Sequence, residues 1–169
     1  AFETLKTGDM AVAELGNDYF DDIYYHRYET VINNVASVHE LKSVPGRLFE
    51  PDMYAKLGDT VKLMLDILDY NYGRDFMNEA AKAGIISYAD VSTGSSNCTV
   101  GKAYSMLVRV FEIKTGRTLD SQSKSRFIAQ NGMTVIKDNG RPASVSDPIK
   151  RGEVAALLEK LMVYIGELE

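Results

Sequence analysis

The sequence has few of the residues that build disulfide frameworks and Cys/His metal sites. Its 169 residues include one cysteine, two histidines and no tryptophan. A single thiol, Cys98, cannot close an internal disulfide, and one thiol with two imidazoles is too small a ligand set for a zinc site. We therefore expect neither a metal ion nor another cofactor. A chain of this length can bury a core large enough to fold without such staples.

Long apolar runs and strongly basic stretches are also missing. Even the apolar run at 154–158 stops at Glu159, well short of the roughly 18 residues that a membrane span needs. Residues 1–70, 71–117 and 118–169 carry net charges of −7, +2 and 0. None of these segments forms the basic surface that a nucleic-acid backbone requires. The sequence therefore predicts no membrane span and no nucleic-acid partner.

What the sequence does contain is a weak internal repeat. In three places an irregular stretch leads to a glycine, an ionisable residue and then an apolar run with helical spacing. These tetrads are Lys56-Leu57-Gly58-Asp59, Thr99-Val100-Gly101-Lys102 and Lys150-Arg151-Gly152-Glu153. Upstream of each lies a second helical pattern, opened by an arginine close to an aromatic residue at Arg27-Tyr28, Arg74-Asp75-Phe76 and Arg126-Phe127. Apolar positions three and four residues apart predict a helix in each case.

This pattern predicts a mainly α fold of three helix-loop-helix repeats in a helical bundle, with short β or irregular prongs. The expected segments are a leader at 1–18 and repeats at 17–70, 71–117 and 118–169. A pair of helices of this size cannot bury its apolar stripe alone, so we expect the three repeats to form one domain.

Local signals predict where several helices begin and end. Gly84 and Gly132 should end the first helices of repeats 2 and 3 as left-handed caps, and Gly116 should end the second helix of repeat 2. The last helix is expected to begin at the Asp-Pro pair at 147–148, where the acid is an N-cap and the proline tolerates the first turn. The Asp-Asn-Gly segment at 138–140 predicts a hairpin tip.

Taken together, these motifs resemble the S-layer homology domain family. The segment Phe20-Asp21-Asp22-Ile23 with His26-Arg27 is similar to the start of its repeat, and Asn71-Tyr72 stands at the corresponding aromatic pair of repeat 2. Ala83-Gly84-Ile85-Ile86 is similar to the end of its first helix, and the tetrads stand where its Thr-Arg-Ala-Glu-like motif opens the second helix. The resemblance covers about residues 17–169. It implies a pseudo-threefold helical bundle with three prongs.

The resemblance also implies a function and a location. Modules of this family anchor bacterial surface proteins noncovalently to a secondary cell-wall polysaccharide, whose acidic, often pyruvylated sugars bind in grooves between the prongs. We therefore expect a non-enzymatic, extracellular module of the bacterial cell wall or S-layer, with other surface-layer proteins as further partners. The alternative is a structural or protein-protein interaction module that keeps the repeat fold and has lost most glycan binding.

The same resemblance implies which residues bind the glycan. In the family the tetrad arginine meets the sugar carboxylate, and the planar guanidinium matches a carboxylate with two hydrogen bonds. This arginine survives here only as Arg151, beside which we expect Gly152 and Glu153 to organise the helix start. The other expected sugar contacts are Asp21, Asp22, Tyr28 and Tyr72, with Arg27, Arg74 and Arg126 as second-rank candidates.

The sequence alone leaves two interpretations open for the tetrad glycines and for the tyrosine cluster, and it predicts no special role for the histidines. Glycine inside a helix costs about 1 kcal/mol relative to alanine, so the tetrad glycines reflect either a close helix approach or N–H groups that hold an anion. The tyrosines at 19, 24, 25 and 28 form either a sugar-stacking surface or filling between the leader and repeat 1. We expect His26 and His39 at the surface or at helix ends, and we expect no catalytic residue.

Overall fold

The computed structural model describes residues 19–169 and is mainly helical. The helices are α1 Glu29–Val38, α2 Leu57–Ile67, α3 Phe76–Lys82, α4 Val100–Thr115, α5 Ser121–Gln130 and α6 Arg151–Ile165, with a 3-10 helix at Tyr88–Thr93 between α3 and α4. The predicted mainly α fold class is confirmed. The expected leader at 1–18 lies outside the described residues. In the part of the chain that the structure describes, no helix has the length and apolarity to cross a bilayer.

The helices pack on one another in a cyclic order. The second helices of the three repeats, α2, α4 and α6, contact one another. Each first helix then packs on the second helix of a different repeat: α3 on α2, α5 on α4 and α1 on α6. Because every first helix covers a neighbouring repeat, the buried apolar residues of all three repeats form one continuous core.

Between its two helices, each repeat sends an extended segment into a closed ring of backbone hydrogen bonds. The N–H of Ala55 donates to the oxygen of Ile149 at 2.9 Å, that of Ile149 to Cys98 at 3.0 Å, and that of Cys98 to Ala55 at 2.8 Å. All three residues are buried. Buried peptide groups need partners, so the ring lets extended backbone pass through the middle of a helical protein.

The tetrads that follow are also linked in a cycle of backbone hydrogen bonds, in which the order of donor and acceptor repeats is reversed. The N–H groups of Leu57, Val100 and Arg151 donate to the oxygens of Ser96, Asp147 and Met53, and those of Gly58, Gly101 and Gly152 donate to Gly94, Val145 and Pro51. Each repeat is thus bonded to another in an equivalent way. These equivalences support the pseudo-threefold arrangement and the repeat boundaries, which stay predictions.

Most predicted helix ends and turns are confirmed. Gly84, Gly116 and Gly132 have φ angles of 72°, 67° and 65°, in the left-handed region that favours glycine at the end of a helix. The predicted hairpin tip is also present, since the N–H of Lys137 donates to the oxygen of Arg141 at 2.9 Å. These features depend on local chemistry, so the sequence indicates them directly.

The predicted start of the last helix is wrong. Helix α6 begins at Arg151, and the Asp147 carboxylate accepts a hydrogen bond from the N–H of Ser144 at 2.9 Å instead of capping the helix. The reason is the hydrogen-bond ring, because Ile149 must stay extended to pair with Cys98. A long-range contact therefore overrides the local signal of an acid before a proline.

Candidate functional site

Each tetrad glycine lies where another repeat comes close to the position that a Cβ would occupy. A Cβ on Gly58 would lie 3.2 Å from a backbone oxygen of repeat 2, and one on Gly101 would lie 3.0 Å from a backbone oxygen of repeat 3. On Gly152 it would lie 2.2 Å from Cδ2 of Tyr28. The three glycine N–H groups are already bonded to carbonyls of a neighbouring repeat. Close approach therefore explains the glycines, and their N–H groups are occupied rather than open to an anion.

Arg151 is held inside the fold. Its Nε donates to the backbone oxygen of Phe49 at 2.6 Å, and its guanidinium carbon lies 5.3 Å from the centre of the Phe49 ring. Nη1 lies 3.9 Å from a carboxylate oxygen of Asp59, and the Arg151 side chain is only 13% exposed. The arginine expected to receive a sugar carboxylate thus already has a carbonyl and a carboxylate of repeat 1 as partners.

Asp21 and Asp22 organise the loop that Arg151 contacts. The two carboxylate oxygens of Asp22 accept hydrogen bonds from the N–H groups of Phe49 at 2.8 Å and Glu50 at 2.6 Å. Asp21 pairs with Arg47, whose guanidinium holds the pKa of the Asp21 carboxyl below its ordinary value. Both acids, which we expected to contact sugar, therefore make internal hydrogen bonds.

Glu153 organises the start of α6. Its Oε2 accepts a hydrogen bond from the N–H of Lys150 at 2.7 Å, which is the acid half of a capping box. The residue is buried, and one of its oxygens lies 3.4 Å from Nζ of Lys137. The hydroxyl half of the box survives in repeat 2, where Thr99 Oγ1 accepts from the N–H of Lys102 at 3.3 Å.

A polar cavity of about 490 Å³ lies where repeats 1 and 3 meet. We call it the polar groove. It is lined by Tyr54 of repeat 1 and by residues of repeat 3, among them Lys137, Asp138, Asn139, Lys150 and Glu153. The hairpin of repeat 3 supplies one wall, and the residues just before α6 supply another.

Charged side chains are linked across the polar groove. Nη1 of Arg27 donates to Asp138 at 2.5 Å, and Nζ of Lys150 lies 3.7 Å from Asp138 and 3.3 Å from Asp52. The Arg27 guanidinium holds the pKa of the Asp138 carboxyl below its ordinary value. His26, 3.1 Å away, does the same for the pKa of Asp52, with a further contribution from Lys150. Both carboxylates are therefore ionised at neutral pH.

The ring of Tyr28 connects Arg27 to the start of α6. The guanidinium carbon of Arg27 lies 4.7 Å from the centre of this ring, a cation–π contact, and the same ring covers Gly152. Burial raises the pKa of the Tyr28 hydroxyl, so it stays protonated. Arg27 keeps 45% of its side chain exposed, and this second-rank candidate is the arginine that stands at the groove beside an aromatic residue.

Tyr72 has other partners. Its hydroxyl donates to the buried Asp66 at 2.9 Å, and its ring centre lies 6.2 Å from that of Phe76. These contacts place Tyr72 where repeats 1 and 2 meet. The structure therefore brings Arg151, Gly152, Glu153, Asp21, Asp22 and Tyr28 to one junction but places Tyr72 at another. Arg74 and Arg126 are exposed.

His39 is at a helix end, as predicted, but it is buried rather than at the surface. It directly follows α1 and is 5% exposed. Its Nδ1 lies 3.1 Å from Asp69 and its Nε2 3.0 Å from Glu167. Lys114 completes the cluster, with Nζ 2.8 Å from Glu167. These four residues, which we call the C-terminal clasp, tie the end of the chain to repeats 1 and 2.

One further cavity, of about 450 Å³ in repeat 2, is also polar, with Ser87, Asp90 and Lys102 in its lining. A cavity of about 620 Å³ between α4 and α5 is less polar, and its lining includes Tyr104, Val108, Ile128, Ala129 and Val145 together with Lys124 and serine and threonine side chains. Between α2 and α3, the ring of Phe76 lies 3.5 Å from the Cβ position of Gly58 and fills the space. Leu57 and Val100, at the positions equivalent to Arg151, are buried. The polar groove brings Lys137 and Lys150 together with the exposed Tyr54.

The sequence does not predict that several of the residues in the polar groove lie together. Lys137 and Asp138 belong to a predicted hairpin, but no local pattern indicates that this hairpin folds over Lys150 and Arg27. The adjacent opposite charges at 137–138 are the one signal in the sequence that a turn with ion-pairing partners lies here.

No protein-family model matches the chain, and no curated protein matches it. In residues 19–169 no group of three or more histidine, cysteine and acidic side chains is placed to hold a metal ion. The functional conclusion therefore depends on the geometry of the polar groove and on the motif resemblance.

Proposed function

We propose that this protein is a non-enzymatic anchoring module of the bacterial cell surface that binds an acidic wall polysaccharide noncovalently. The observation that carries the proposal is the polar groove, where Lys137, Lys150 and the exposed Tyr54 lie at the junction of two repeats, with the exposed Arg27 beside them. The module acts outside the cell, in the wall or S-layer, and its partner is a secondary cell-wall polysaccharide, for example a pyruvylated one.

Arg27 is the side chain best placed to receive a sugar carboxylate. Asp138 accepts from its Nη1, which leaves Nε and Nη2 of the five-donor guanidinium for a second carboxylate. The ring of Tyr28 supports the guanidinium from one face. Tyr54, which is 50% exposed, offers an aromatic face to the C–H groups of a sugar ring.

Arg151 supports the site in this proposal rather than binding the sugar directly. Its guanidinium already donates to the oxygen of Phe49 and faces Asp59. By holding the repeat 1 loop against α6, it keeps the two sides of the junction together. Lys150, the neighbouring residue, lines the groove, where its charge is balanced by Asp52 and Asp138.

The cavity between α4 and α5 favours a second candidate function. Most of the surface of its lining is apolar, although Lys124 and serine and threonine side chains contribute to it. An apolar surface of this kind suits a protein partner better than an acidic sugar. A module that keeps the repeat fold for protein-protein interaction would use this junction, whereas the polar groove favours the glycan.

Sedimentation with wall sacculi tests the proposed function. Sacculi of the producing bacterium are prepared with their polysaccharide retained or chemically stripped, and the fraction of protein that sediments is measured with each. We expect strong recovery with the retained sacculi and little with the stripped ones. Arg27→Gln should weaken the recovery, whereas Arg126→Gln, which removes an exposed arginine outside the groove, should leave it unchanged.

Equal recovery with both kinds of sacculi contradicts glycan binding and favours the protein-interaction alternative. Equal effects of Arg27→Gln and Arg126→Gln would show that the groove is not the binding site. Both variants alter exposed side chains, so circular dichroism should show the same helical content as in the wild-type protein.

A further inference from the structure

The turn before α1 carries an exposed tyrosine on a strained backbone. Tyr25 is 84% exposed and has a φ angle of 60°. Bulky side chains rarely adopt this left-handed conformation, which favours glycine. The surrounding turn holds it there, because the N–H of Tyr25 donates to Oε2 of Glu29 at 2.6 Å and the N–H of His26 donates to the oxygen of Ile23 at 2.8 Å. Strained residues that persist in a fold cluster at functional sites.

Tyr24 fixes the orientation of the Tyr25 ring. The two ring centres lie 4.0 Å apart with their planes at 45°, and the hydroxyl of Tyr24 donates to that of Tyr25 at 3.0 Å. A ring that is already held in place loses little side-chain entropy when a ligand binds. Its exposed face suits the apolar C–H face of a sugar, and its hydroxyl edge suits the hydroxyls of the same sugar.

A row of paired side chains connects the two tyrosines to the polar groove. His26 directly follows Tyr25 and lies 3.1 Å from Asp52. Asp52 lies 3.3 Å from Lys150, which lines the groove. The row therefore starts at the residue that follows Tyr25 and ends at a side chain that lines the groove.

We infer that Tyr24 and Tyr25 form a second sugar subsite, which stacks on a pyranose ring of the same wall polysaccharide. The inference rests on the proposed function and extends it from one bound sugar to at least two along a polymer. Within the tyrosine cluster, the ring of Tyr28 packs against Gly152, whereas the exposed ring of Tyr25 is available for stacking. The expected packing of these tyrosines against the leader concerns residues outside the described part of the chain.

Three variants separate the ring from the backbone that carries it. Tyr25→Gly removes the ring and places glycine at a φ angle that it adopts without strain, so the fold is retained. Tyr25→Phe keeps the stacking face and loses the hydroxyl. Tyr88→Ala removes a tyrosine that is 66% exposed on the 3-10 helix and is the matched control. Polysaccharide released from the sacculi is titrated into each protein, and the dissociation constant is measured by calorimetry.

We expect Tyr25→Gly to raise the dissociation constant roughly three- to tenfold. Tyr25→Phe should raise it less, because the stacking face is kept while the hydroxyl is lost, and Tyr88→Ala should bind nearly as the wild type does. An unchanged constant for Tyr25→Gly, together with a raised one for Arg27→Gln, overturns the subsite and leaves the proposed function standing. If the wild-type protein binds no polysaccharide, the proposed function fails and the subsite fails with it. If Tyr25→Gly lowers sedimentation equally with stripped sacculi, the ring contacts something other than this glycan, and the subsite is overturned.

Discussion

Arg151 donates a hydrogen bond from Nε to the backbone oxygen of Phe49 at 2.6 Å. The two residues are 102 positions apart in the chain, so the bond fastens the start of α6 to the loop of repeat 1. Asp22 holds the same loop through the N–H of Phe49. The N–H and the backbone oxygen of Phe49 are therefore both bonded to charged side chains. Hydrogen bonds to charged groups are stronger than those between neutral groups.

Removal of the Arg151 guanidinium should destabilise the protein. Arg151→Met keeps an apolar stem beside the Phe49 ring but leaves the Phe49 oxygen without its donor. We expect the free energy of unfolding in urea to fall by about 1–3 kcal/mol. Arg126→Met, which alters an exposed arginine, should change it far less. Equal stability of the two variants would mean that the bond to Phe49 contributes nothing.

Gly152 should not tolerate alanine while Tyr28 is present. The added Cβ would lie 2.2 Å from Cδ2 of the Tyr28 ring, and overpacking of this kind costs about 1–3 kcal/mol. Gly73→Ala is the control, because its Cβ would meet nothing within 4 Å and its φ angle is not in the left-handed region. Thermal or urea unfolding of each variant measures the effect.

The double variant Gly152→Ala/Tyr28→Ala identifies the cause. If the clash with the ring is responsible, the cost of Gly152→Ala should shrink once the ring has been removed, and the two changes should be non-additive. Additive effects would indicate that the glycine is needed for its backbone freedom instead.

The sequence indicates the parts of the fold that depend on nearby residues. Gly84, Gly116 and Gly132 end their helices because a left-handed residue there costs glycine nothing, and this rule needs no tertiary information. Three-and-four spacing of apolar residues indicates the second helices in the same way. The start of α6 is not predictable by such rules, because the pairing of Ile149 with Cys98 decides it.

In the candidate site, too, local features can be predicted from the sequence, whereas long-range contacts cannot. Gly152 and Glu153 of the third tetrad lie at the start of α6, where Tyr28 packs against the glycine. The tetrad motif does not indicate that Arg151 turns towards Phe49 or that Arg27 reaches Asp138. Arg151 and Phe49 are 102 positions apart in the chain, and Arg27 and Asp138 are 111 positions apart. Only the packing of one repeat on another brings these residues together.

Cys98 should report on the opening of the hydrogen-bond ring. It is the only cysteine in the chain, it is fully buried, and burial raises the pKa of its thiol to about 11. Thiolates, not thiols, react with disulfide reagents. We therefore expect negligible labelling of the native protein at about pH 8 and rapid labelling once denaturant has unfolded it.

The pKa shift of Cys98 also predicts how stability changes at alkaline pH. Because the folded-state pKa is raised above the ordinary value of 9.0, the unfolded chain loses its thiol proton first. Stability is complete below the ordinary value and falls as the pH rises towards the folded value. Cys98→Ala should show a smaller loss of stability over this range. In the labelling experiment described above, a fast reaction of Cys98 in the native protein would contradict a closed hydrogen-bond ring.

The C-terminal clasp should make stability depend on acid pH. Burial opposes ionisation of Glu167, but hydrogen bonds from Lys114 and His39 outweigh it and hold the pKa of the Glu167 carboxyl below its ordinary value. A carboxyl group whose pKa is lowered in the folded state stabilises the fold at pH values above its unfolded-state pKa. This stabilisation is lost as the pH falls through the folded-state pKa.

Glu167→Gln keeps the shape of the side chain but cannot ionise. We expect it to be less stable than the wild type at neutral pH, with the difference closing between about pH 5 and pH 3 in urea unfolding. Glu169→Gln, which changes an exposed acid two residues further on, should follow the wild type at every pH. A difference for Glu167→Gln that stays constant across this range would show that the carboxylate charge does not hold the clasp together.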